Sequence, residues 1–246
     1  MAQGVTMTRR GRLIAIEGRS AAGKTTLVRA AAVKLGWQPL AEAFDRADPA
    51  PSLEYGSPRE LLRLEGALLS EEVRRYREAR GLCAQGHTVF ADTGFLGPLM
   101  YTYGLVALGR APASVGRAVE RSTRSLVRRG ALGLPDLTVY LETTARERAR
   151  HARADTSRHP AALAGRHEAV GAVEQRFFEE LFPMALPDRF RSLRARSGPP
   201  GPVPTLRALV AEADPVPASK TEALALVSLL GLPARGGRRP NVGPNR

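Results

Sequence analysis

One short stretch near the amino terminus has the residue types and spacing to bind a phosphate chain. Gly18 is followed by four residues and then by Gly23, Lys24 and Thr25, which is the P-loop pattern. Its glycines let backbone N–H groups approach phosphates closely, and the following helix adds its N-terminal dipole. Lys24 is expected to reach the β- and γ-phosphates of a nucleotide in catalysis, and the Thr25 hydroxyl is expected to hold Mg²⁺. The predicted nucleotide-binding residues are Gly18, Arg19, Ser20, Ala21, Ala22, Gly23, Lys24, Thr25 and Thr26.

The elements that must position this loop are also visible in the sequence. The apolar run from Leu13 to Ile16 predicts a buried strand over residues 12–16, directly before the loop. Apolar side chains then recur every three or four residues, which predicts a helix over residues 25–35 that ends before Gly36. A strand before the loop and a helix after it are the context that the motif requires.

Strands and helices continue to alternate along the chain. Ser70 and the acids after it predict the start of a separate helix, and Pro183 is expected to end the long helix that begins at Arg166. The alternation predicts an α/β fold: a parallel five-stranded sheet with helices on both faces. The further predicted strands cover residues 38–41, 87–92, 137–142 and 190–193. The further predicted helices cover residues 58–69, 70–85, 96–108, 113–129, 144–153, 166–182, 205–211 and 221–230.

The expected organisation is one P-loop domain with a C-terminal extension. Residues 1–11 are polar and are expected to be flexible. The domain is expected to cover residues 12–196. Residues 197–232 form a linker and short helices in this interpretation, and residues 233–246 a disordered tail.

Composition narrows the class of protein. The formal net charge is +13, but only three of the 37 basic residues are lysines, which is typical of a GC-rich coding bias. The arginines are scattered and aromatic residues are few, so nucleic-acid binding is not expected. One cysteine allows no internal disulfide, and no apolar run is long enough to cross a membrane. These features predict a cytoplasmic protein.

Two stretches resemble known enzymes. Residues 16–27 look like the P-loop of deoxynucleoside kinases, and the related thymidylate kinases share the opening Glu17-Gly18. Residues 135–142 are similar to the Pro-Asp strand that both families carry before an arginine-rich lid. The resemblance covers about residues 12–195. It implies a nucleoside or nucleotide kinase-like fold with such a lid, ATP and Mg²⁺ as cofactors, a small-molecule acceptor, and a possible homodimer.

The same resemblance assigns a role to Glu42. In deoxynucleoside kinases a glutamate at the end of the second strand, usually followed by proline, is the base near the acceptor hydroxyl. Ala43 stands here in place of that proline, so the match is partial. The alternative is a solvated acid at the end of a strand.

Asp92 ends the third predicted strand, where the family carries an acid followed by arginine. The resemblance implies a catalytic role for Asp92: its carboxylate would either hold Mg²⁺ through water or act as the base. The alternative is that Asp92 caps the following helix. Thr93 replaces the arginine, which normally contacts the acceptor or its phosphate. Arg46 and Arg75 are candidates to substitute for it. Without a substitute, we expect an acceptor that is a neutral, nucleoside-like hydroxyl compound and not a monophosphate.

The expected lid is rich in arginine. An arginine there can close over a triphosphate and neutralise charge in the transition state. We assign Arg148 to this role, although the sequence does not distinguish it from its neighbours, and a solvated helical face is the alternative. The lid arginines are Arg146, Arg148, Arg150, Arg153 and Arg158.

These observations predict an ATP-dependent kinase that transfers a γ-phosphoryl group to a nucleoside, a thymidylate-like nucleotide or a similar small hydroxyl acceptor. The alternative is a P-loop regulatory or resistance protein that hydrolyses ATP without a small-molecule acceptor. Thr93 and the C-terminal extension keep that alternative open.

Overall fold

A computed structural model describes residues 11–47, 55–154, 166–194, 202–213 and 216–230. The strands are β1 (Leu13–Glu17), β2 (Gln38–Leu40), β3 (Val89–Asp92), β4 (Leu137–Glu142) and β5 (Phe190–Arg194). The helices are α1 (Lys24–Leu35), α2 (Ala43–Arg46), α3 (Pro58–Ala84), α4 (Gly97–Ala107), α5 (Ala113–Arg128), α6 (Ala145–Ala154), α7 (Arg166–Arg176), α8 (Phe182–Ala185), α9 (Pro202–Ala213) and α10 (Lys220–Leu229). A π-helical turn covers Phe177–Leu181, and a 3₁₀ turn covers Pro187–Arg189.

The strands form one parallel sheet in the order β2-β3-β1-β4-β5. Strand β1 lies at its centre, where Ile16 pairs with Asp92 of β3 and with Val139 of β4. The predicted fold class is therefore confirmed. In a parallel sheet the carboxyl ends of all strands meet at one edge, so the loops after β1, β2 and β3 converge there.

Both faces of the sheet are covered, which explains why its strands are almost continuously apolar. Leu13 and Ala15 of β1 belong to the core that α3, α5 and α10 cover. Ile14 and Ile16 point to the opposite face and pack in the core under α1 and α9. Alternate residues of one strand thus stabilise two separate cores.

The amino-terminal edge of the sheet is held by Asp136, the second residue of the Pro-Asp pair. Its carboxylate accepts hydrogen bonds from the Leu13 backbone N–H at 2.8 Å and from Arg80 at 2.7 Å. The carbonyl of Asp136 accepts from Arg189, which also pairs with Glu222 at the start of α10. Asp136 is buried, and it ties β1, β4 and α3 together at the edge opposite the P-loop.

The two helices predicted at residues 58–69 and 70–85 are one continuous helix, α3. The helix begins after Ser57, whose hydroxyl accepts from the Glu60 N–H, with Pro58 in the first turn. Ser70 does not cap a helix; its hydroxyl donates to the Gly66 carbonyl one turn earlier. The separate start predicted at Ser70 is therefore wrong, because the side chain satisfies a carbonyl within the helix.

Pro183 does not end the helical segment as predicted. The chain leaves α7 through the π-helical turn Phe177–Leu181, and Pro183 lies in the first turn of α8. A proline is tolerated there because the N–H that it lacks is not needed in a first helical turn.

The C-terminal helices pack on the sheet. Val203 and Leu206 of α9 lie in the core under α1, and Leu226 of α10 lies in the core on the other face. The boundary predicted at residue 196 and the tail predicted at residues 233–246 lie outside the described residues. In the described part of the chain, no helix is both long enough and apolar enough to cross a bilayer.

Candidate active site

A large cavity of about 1570 Å³ opens at the carboxyl edge of the sheet. All nine predicted nucleotide-binding residues, from Gly18 to Thr26, line it. The loop begins at Gly18, where φ is +145° and a side chain would meet the Leu141 carbonyl at 2.9 Å. This conformation and this close approach explain why glycine is needed there.

Lys24 begins α1 and reaches back over its own loop. Its ammonium group donates to the carbonyls of Gly18 at 2.8 Å and Arg19 at 3.3 Å. Two carboxyl groups act on it through their charge, Glu17 at the end of β1 and Glu174 on α7. Burial raises the pKa of Glu17 to about 8, partly offset by the Gly94 N–H and by Lys24. Burial also raises the pKa of Glu174, and Lys24 and Arg19 oppose that rise.

Thr25 and Asp92 come together although strand β3 is far from the P-loop in sequence. The Thr25 hydroxyl donates to one carboxylate oxygen of Asp92 at 2.5 Å. The other carboxylate oxygen is buried and has no hydrogen-bond partner among the described residues. Asp92 is only 2% exposed and lies beneath the loop, so it does not line the cavity itself.

The Thr25–Asp92 pair fits the Mg²⁺ that the P-loop implies. Mg²⁺ prefers oxygen ligands, keeps several waters and commonly uses one or two protein groups together with substrate phosphates. A hydroxyl beside a buried carboxylate with one unsatisfied oxygen offers such a partial shell. No cluster of three or more His, Cys, Asp or Glu suited to a metal occurs in the described part of the chain.

Glu42 lies where the chain passes from β2 to α2, and it lines the cavity. It faces Glu72 of α3, which also lines the cavity. Burial raises the pKa of Glu72 to about 7; Arg75 opposes this rise, and the negative charges of Glu42 and Glu71 add to it. The structure thus brings the predicted base Glu42 to the cavity, on the α3 side.

The segment after β3 is held from two sides. Thr93 has a left-handed backbone, with φ of +66°, which is uncommon for a residue with a branched side chain. Arg75 donates to the carbonyls of Asp92 at 2.8 Å and Thr93 at 3.3 Å. From the other side, the Gly94 N–H donates to Glu17 at 2.7 Å. The loop that carries Thr93 into the cavity is therefore firmly positioned.

Neither proposed substitute for the missing arginine reaches the cavity. Arg75 is fully buried and pairs with Glu72 at 2.5 Å. Arg46 pairs with Glu71 at 2.8 Å and with Glu78 at 2.7 Å. Both guanidinium groups are bound to acids of α3, and neither arginine lines the cavity.

The lid helix α6 does not bring the assigned Arg148 to the cavity, but it brings another of the predicted lid arginines. Arg148 donates to the Thr143 carbonyl at 2.9 Å and does not line the cavity, so its catalytic role stays a prediction. Arg150 and His151 do line the cavity. A ring nitrogen of His151 lies 3.0 Å from the Ala21 carbonyl, which joins the lid to the P-loop. Arg158 lies outside the described residues.

Several cavity residues escaped the sequence analysis. Glu17 and Glu174 approach Lys24, and His151 touches the P-loop. Glu65 lines the cavity from α3 and is fully buried. Two of them give a signal in the sequence. Glu17 stands in the Glu-Gly pair that opens the P-loop, and Glu65 interrupts an apolar helical stripe with Leu61 four residues before it and Leu69 four residues after it.

Solved structures share this architecture. Deoxyadenosine kinase from M. mycoides with bound dATP is 16% identical, covering 81% of this chain and 99% of that chain, with a TM-score of 0.61. The same enzyme with bound dCTP is 14% identical, with coverages of 81% and 98% and a TM-score of 0.59. Thymidylate kinase from Candida albicans is 15% identical, with coverages of 83% and 93% and a TM-score of 0.60.

The chain has the fold of the deoxynucleoside kinases. The resemblance noted at residues 16–27 and 135–142 is thus confirmed at the level of the fold. No protein-family model matches the chain, and no curated protein matches it by sequence. The roles of individual residues therefore rest on the geometry of this site.

Proposed function

We propose that this chain is an ATP-dependent kinase that phosphorylates a hydroxyl group of a small, nucleoside-like acceptor. The observation that carries the proposal is the contact between the Thr25 hydroxyl and the Asp92 carboxylate beside a P-loop that opens into a large cavity. It joins a phosphate-binding loop to a buried acid at the edge of the sheet where such folds bind ligands.

One half of the cavity suits a nucleotide. The P-loop amides and Lys24 would hold the phosphates, and Thr25 with Asp92 would hold Mg²⁺. When bound, Mg²⁺ and ATP supply the transferable phosphoryl group and neutralise its charge. Arg19 and Arg150 also line the cavity, so they can add positive charge near the phosphates.

The other half suits the acceptor. Glu42 and Glu72 line it from α2 and α3, and Phe44, Leu68 and Met100 supply apolar walls. Glu42 is proposed to accept the proton of the acceptor hydroxyl as that oxygen becomes a nucleophile. Because Arg46 and Arg75 are bound to acids of α3, this half offers an acceptor phosphate little charge compensation. We therefore favour a nucleoside-like acceptor without a phosphate over a nucleoside monophosphate.

The absence of an arginine after Asp92 also supports the second candidate, a regulatory or resistance protein that hydrolyses ATP without a small acceptor. The two functions differ in one measurable property. A kinase consumes ATP much faster with its acceptor than without it, whereas a hydrolase does not respond to acceptors.

The test is an acceptor screen with the purified chain, ATP and Mg²⁺. Nucleosides, including thymidine, are compared side by side with their monophosphates, and product formation and ATP consumption are both measured. We expect phosphorylation of a nucleoside-like compound and little of the monophosphates. Preference for thymidine monophosphate with inert nucleosides would contradict the proposed acceptor. ATP consumption that no acceptor accelerates would support the second candidate.

A further inference from the structure

Glu65 is a carboxyl group without an evident structural purpose. It projects from the middle of α3 and is 0% exposed, yet it lines the cavity. Neither of its two oxygens has a hydrogen-bond partner among the described residues. Buried carboxyl groups in proteins are normally paired or hydrogen-bonded, because removing them from water without compensation is costly. An unpartnered group at a cavity wall indicates that its partner is a ligand.

The surroundings of Glu65 show which charge that ligand carries. Other acids line the same part of the cavity: Glu42 and Asp45 near α2, and Glu72 two turns along α3. Among the described residues of α2, α3 and α4 that line the cavity, none is Lys, Arg or His. The lining cations belong instead to the P-loop, α1 and the lid helix α6. The wall formed by α2, α3 and α4 is therefore acidic, whereas the P-loop side carries the cations together with the acids Glu17 and Glu174.

Arg46 and Arg75, which pair with acids of α3, do not neutralise this acidic wall at the cavity surface. Arg75 is held beneath Glu72, with the Asp92 and Thr93 carbonyls as its other partners. Arg46 is held by Glu71 and Glu78. Each of these arginines is committed to acids on α3, so Glu65 gains no counter-charge from them.

Glu65 also has apolar neighbours in the lining of the cavity. Leu64 and Leu68 flank it on α3, and Met100, Tyr101 and Val170 line the cavity from α4 and α7. A small organic body can pack against these side chains while one charged group meets the carboxylate. An ammonium group offers three donors to the two oxygens and compensates their charge.

We propose that Glu65 binds a protonated amino group of the acceptor, so that the substrate is a compound that carries both a hydroxyl and an ammonium group. This inference rests on the proposed kinase function, because it assumes that the α3 side of the cavity holds the acceptor. It replaces the earlier expectation of a neutral acceptor with a cationic one: the site disfavours a phosphate, and an ammonium partner would favour the ionised form of the Glu65 carboxyl. The amine orients the acceptor, and Glu42 receives the proton of its hydroxyl.

Binding is tested with two fragments of the same shape that differ in charge. Benzylammonium and benzyl alcohol are titrated separately into the full chain at about pH 8.5, where the Glu65 carboxyl is largely ionised, and their dissociation constants are measured by calorimetry or ligand-observed NMR. A hydrogen bond to a charged group contributes more binding free energy than a neutral one, and the difference corresponds to roughly tenfold tighter binding. We expect benzylammonium to bind about tenfold more tightly. Equal binding of the two fragments would overturn the proposal without the need for any variant.

The variant Glu65→Gln keeps the shape of the side chain and removes its charge. We expect it to lose the preference for benzylammonium while it still binds benzyl alcohol. The control is Glu120→Gln on α5, an acid that pairs with Arg124 and does not line the cavity. Retention of the full preference in Glu65→Gln would also overturn the proposal, because another acid would then hold the amine.

The same variants separate this inference from the kinase function. One outcome is that Glu65→Gln and the wild type show the same preference between the two fragments while the wild type phosphorylates an acceptor. The proposed amine site is then wrong, and the proposed kinase function is retained. If the wild type prefers benzylammonium but transfers phosphate to no acceptor, the proposed cation site is supported and the proposed kinase function is contradicted. With aminated and non-aminated acceptors compared at equal concentration, Glu65→Gln is expected to raise KM for the aminated member by about tenfold or more.

Discussion

The Thr25 hydroxyl and the Asp92 carboxylate lie 2.5 Å apart, although the two residues are 67 positions apart in the chain. The contact forms because β1 and β3 are adjacent and parallel, with Ile16 opposite Asp92. The P-loop therefore begins beside the acid that ends the neighbouring strand. One oxygen of Asp92 remains unsatisfied, which leaves a place for a further ligand.

Asp92→Asn should raise the Mg²⁺ concentration that half-maximal activity requires. The amide keeps the shape and can still contact Thr25, but it brings no negative charge to a cation. The measurement is the rate of ATP consumption across a Mg²⁺ titration. The control is Asp188→Asn, in the 3₁₀ turn before β5. Normal Mg²⁺ dependence in Asp92→Asn would remove Asp92 from the metal site.

Lys24→Ala should reduce phosphotransfer by at least about 10²-fold, the scale expected when one preorganised charge donor is removed. The fold should persist, because within the described part of the chain the Lys24 ammonium hydrogen-bonds just the Gly18 and Arg19 carbonyls. Each is expected to contribute about 1 kcal/mol to the free energy of unfolding. Turnover and the melting temperature are measured together, and Lys220→Ala on α10 is the matched control. Wild-type turnover in Lys24→Ala would contradict the proposed role of the P-loop in phosphotransfer.

Glu42→Gln should lower kcat by roughly 10²-fold, the usual contribution of a positioned base. The amide can still hydrogen-bond an acceptor but cannot take its proton, so KM should change little. The check is a pair of kcat and KM values from steady-state kinetics with the acceptor identified in the screen. An unchanged kcat would show that Glu42 is only a polar residue of the cavity wall.

Glu65→Gln should stabilise the empty protein at high pH. Burial raises the pKa of Glu65 to about 8, from 4.5 when exposed. Between these values the folded state binds more protons than the unfolded state, so the free energy of unfolding falls as pH rises. The neutral amide removes that dependence.

Denaturant unfolding at pH 5 and pH 9 measures this effect. At pH 5 Glu65 is protonated in the folded protein, and the two chains should have similar stability. At pH 9 the variant should be more stable than the wild type by roughly 2–4 kcal/mol. Burial also raises the pKa values of Glu17 and Glu72. The free energy of unfolding of Glu65→Gln should therefore still fall as pH rises, but less steeply than that of the wild type. Parallel curves for the two chains would show that Glu65 is already charged when folded.

Asp136→Ala should reduce the free energy of unfolding by roughly 3–5 kcal/mol, because it removes the buried carboxylate that pairs with the 19%-exposed side chain of Arg80. The variant removes the acceptor of the Leu13 N–H and of Arg80. Glu78→Ala is the contrasting change, since it removes the 46%-exposed partner of Arg46 and should cost less than about 1 kcal/mol. Equal losses for the two variants would contradict a structural role for the Pro-Asp pair.

Much of the fold follows from local patterns in the sequence. The apolar runs at β1 and β4 give the strands, and the alternation with helices gives a parallel sheet. The errors arise where one local signal has two physical explanations. Ser70 can cap a helix or bond back within one, and Pro183 can end a helix or occupy a first turn. Only the packing of α3 and the π-helical turn before α8 distinguish these cases.

The sequence by itself determined the P-loop, because its residues are contiguous and the motif has a short, fixed spacing. It could not determine which distant side chains face that loop. Tertiary structure alone placed Asp92 against Thr25, turned Arg148 to the Thr143 carbonyl and bound Arg75 to Glu72. It also buried Glu65 without a partner. These outcomes depend on strand order and helix packing, which combine contacts between residues far apart in the chain, and no local spacing encodes them.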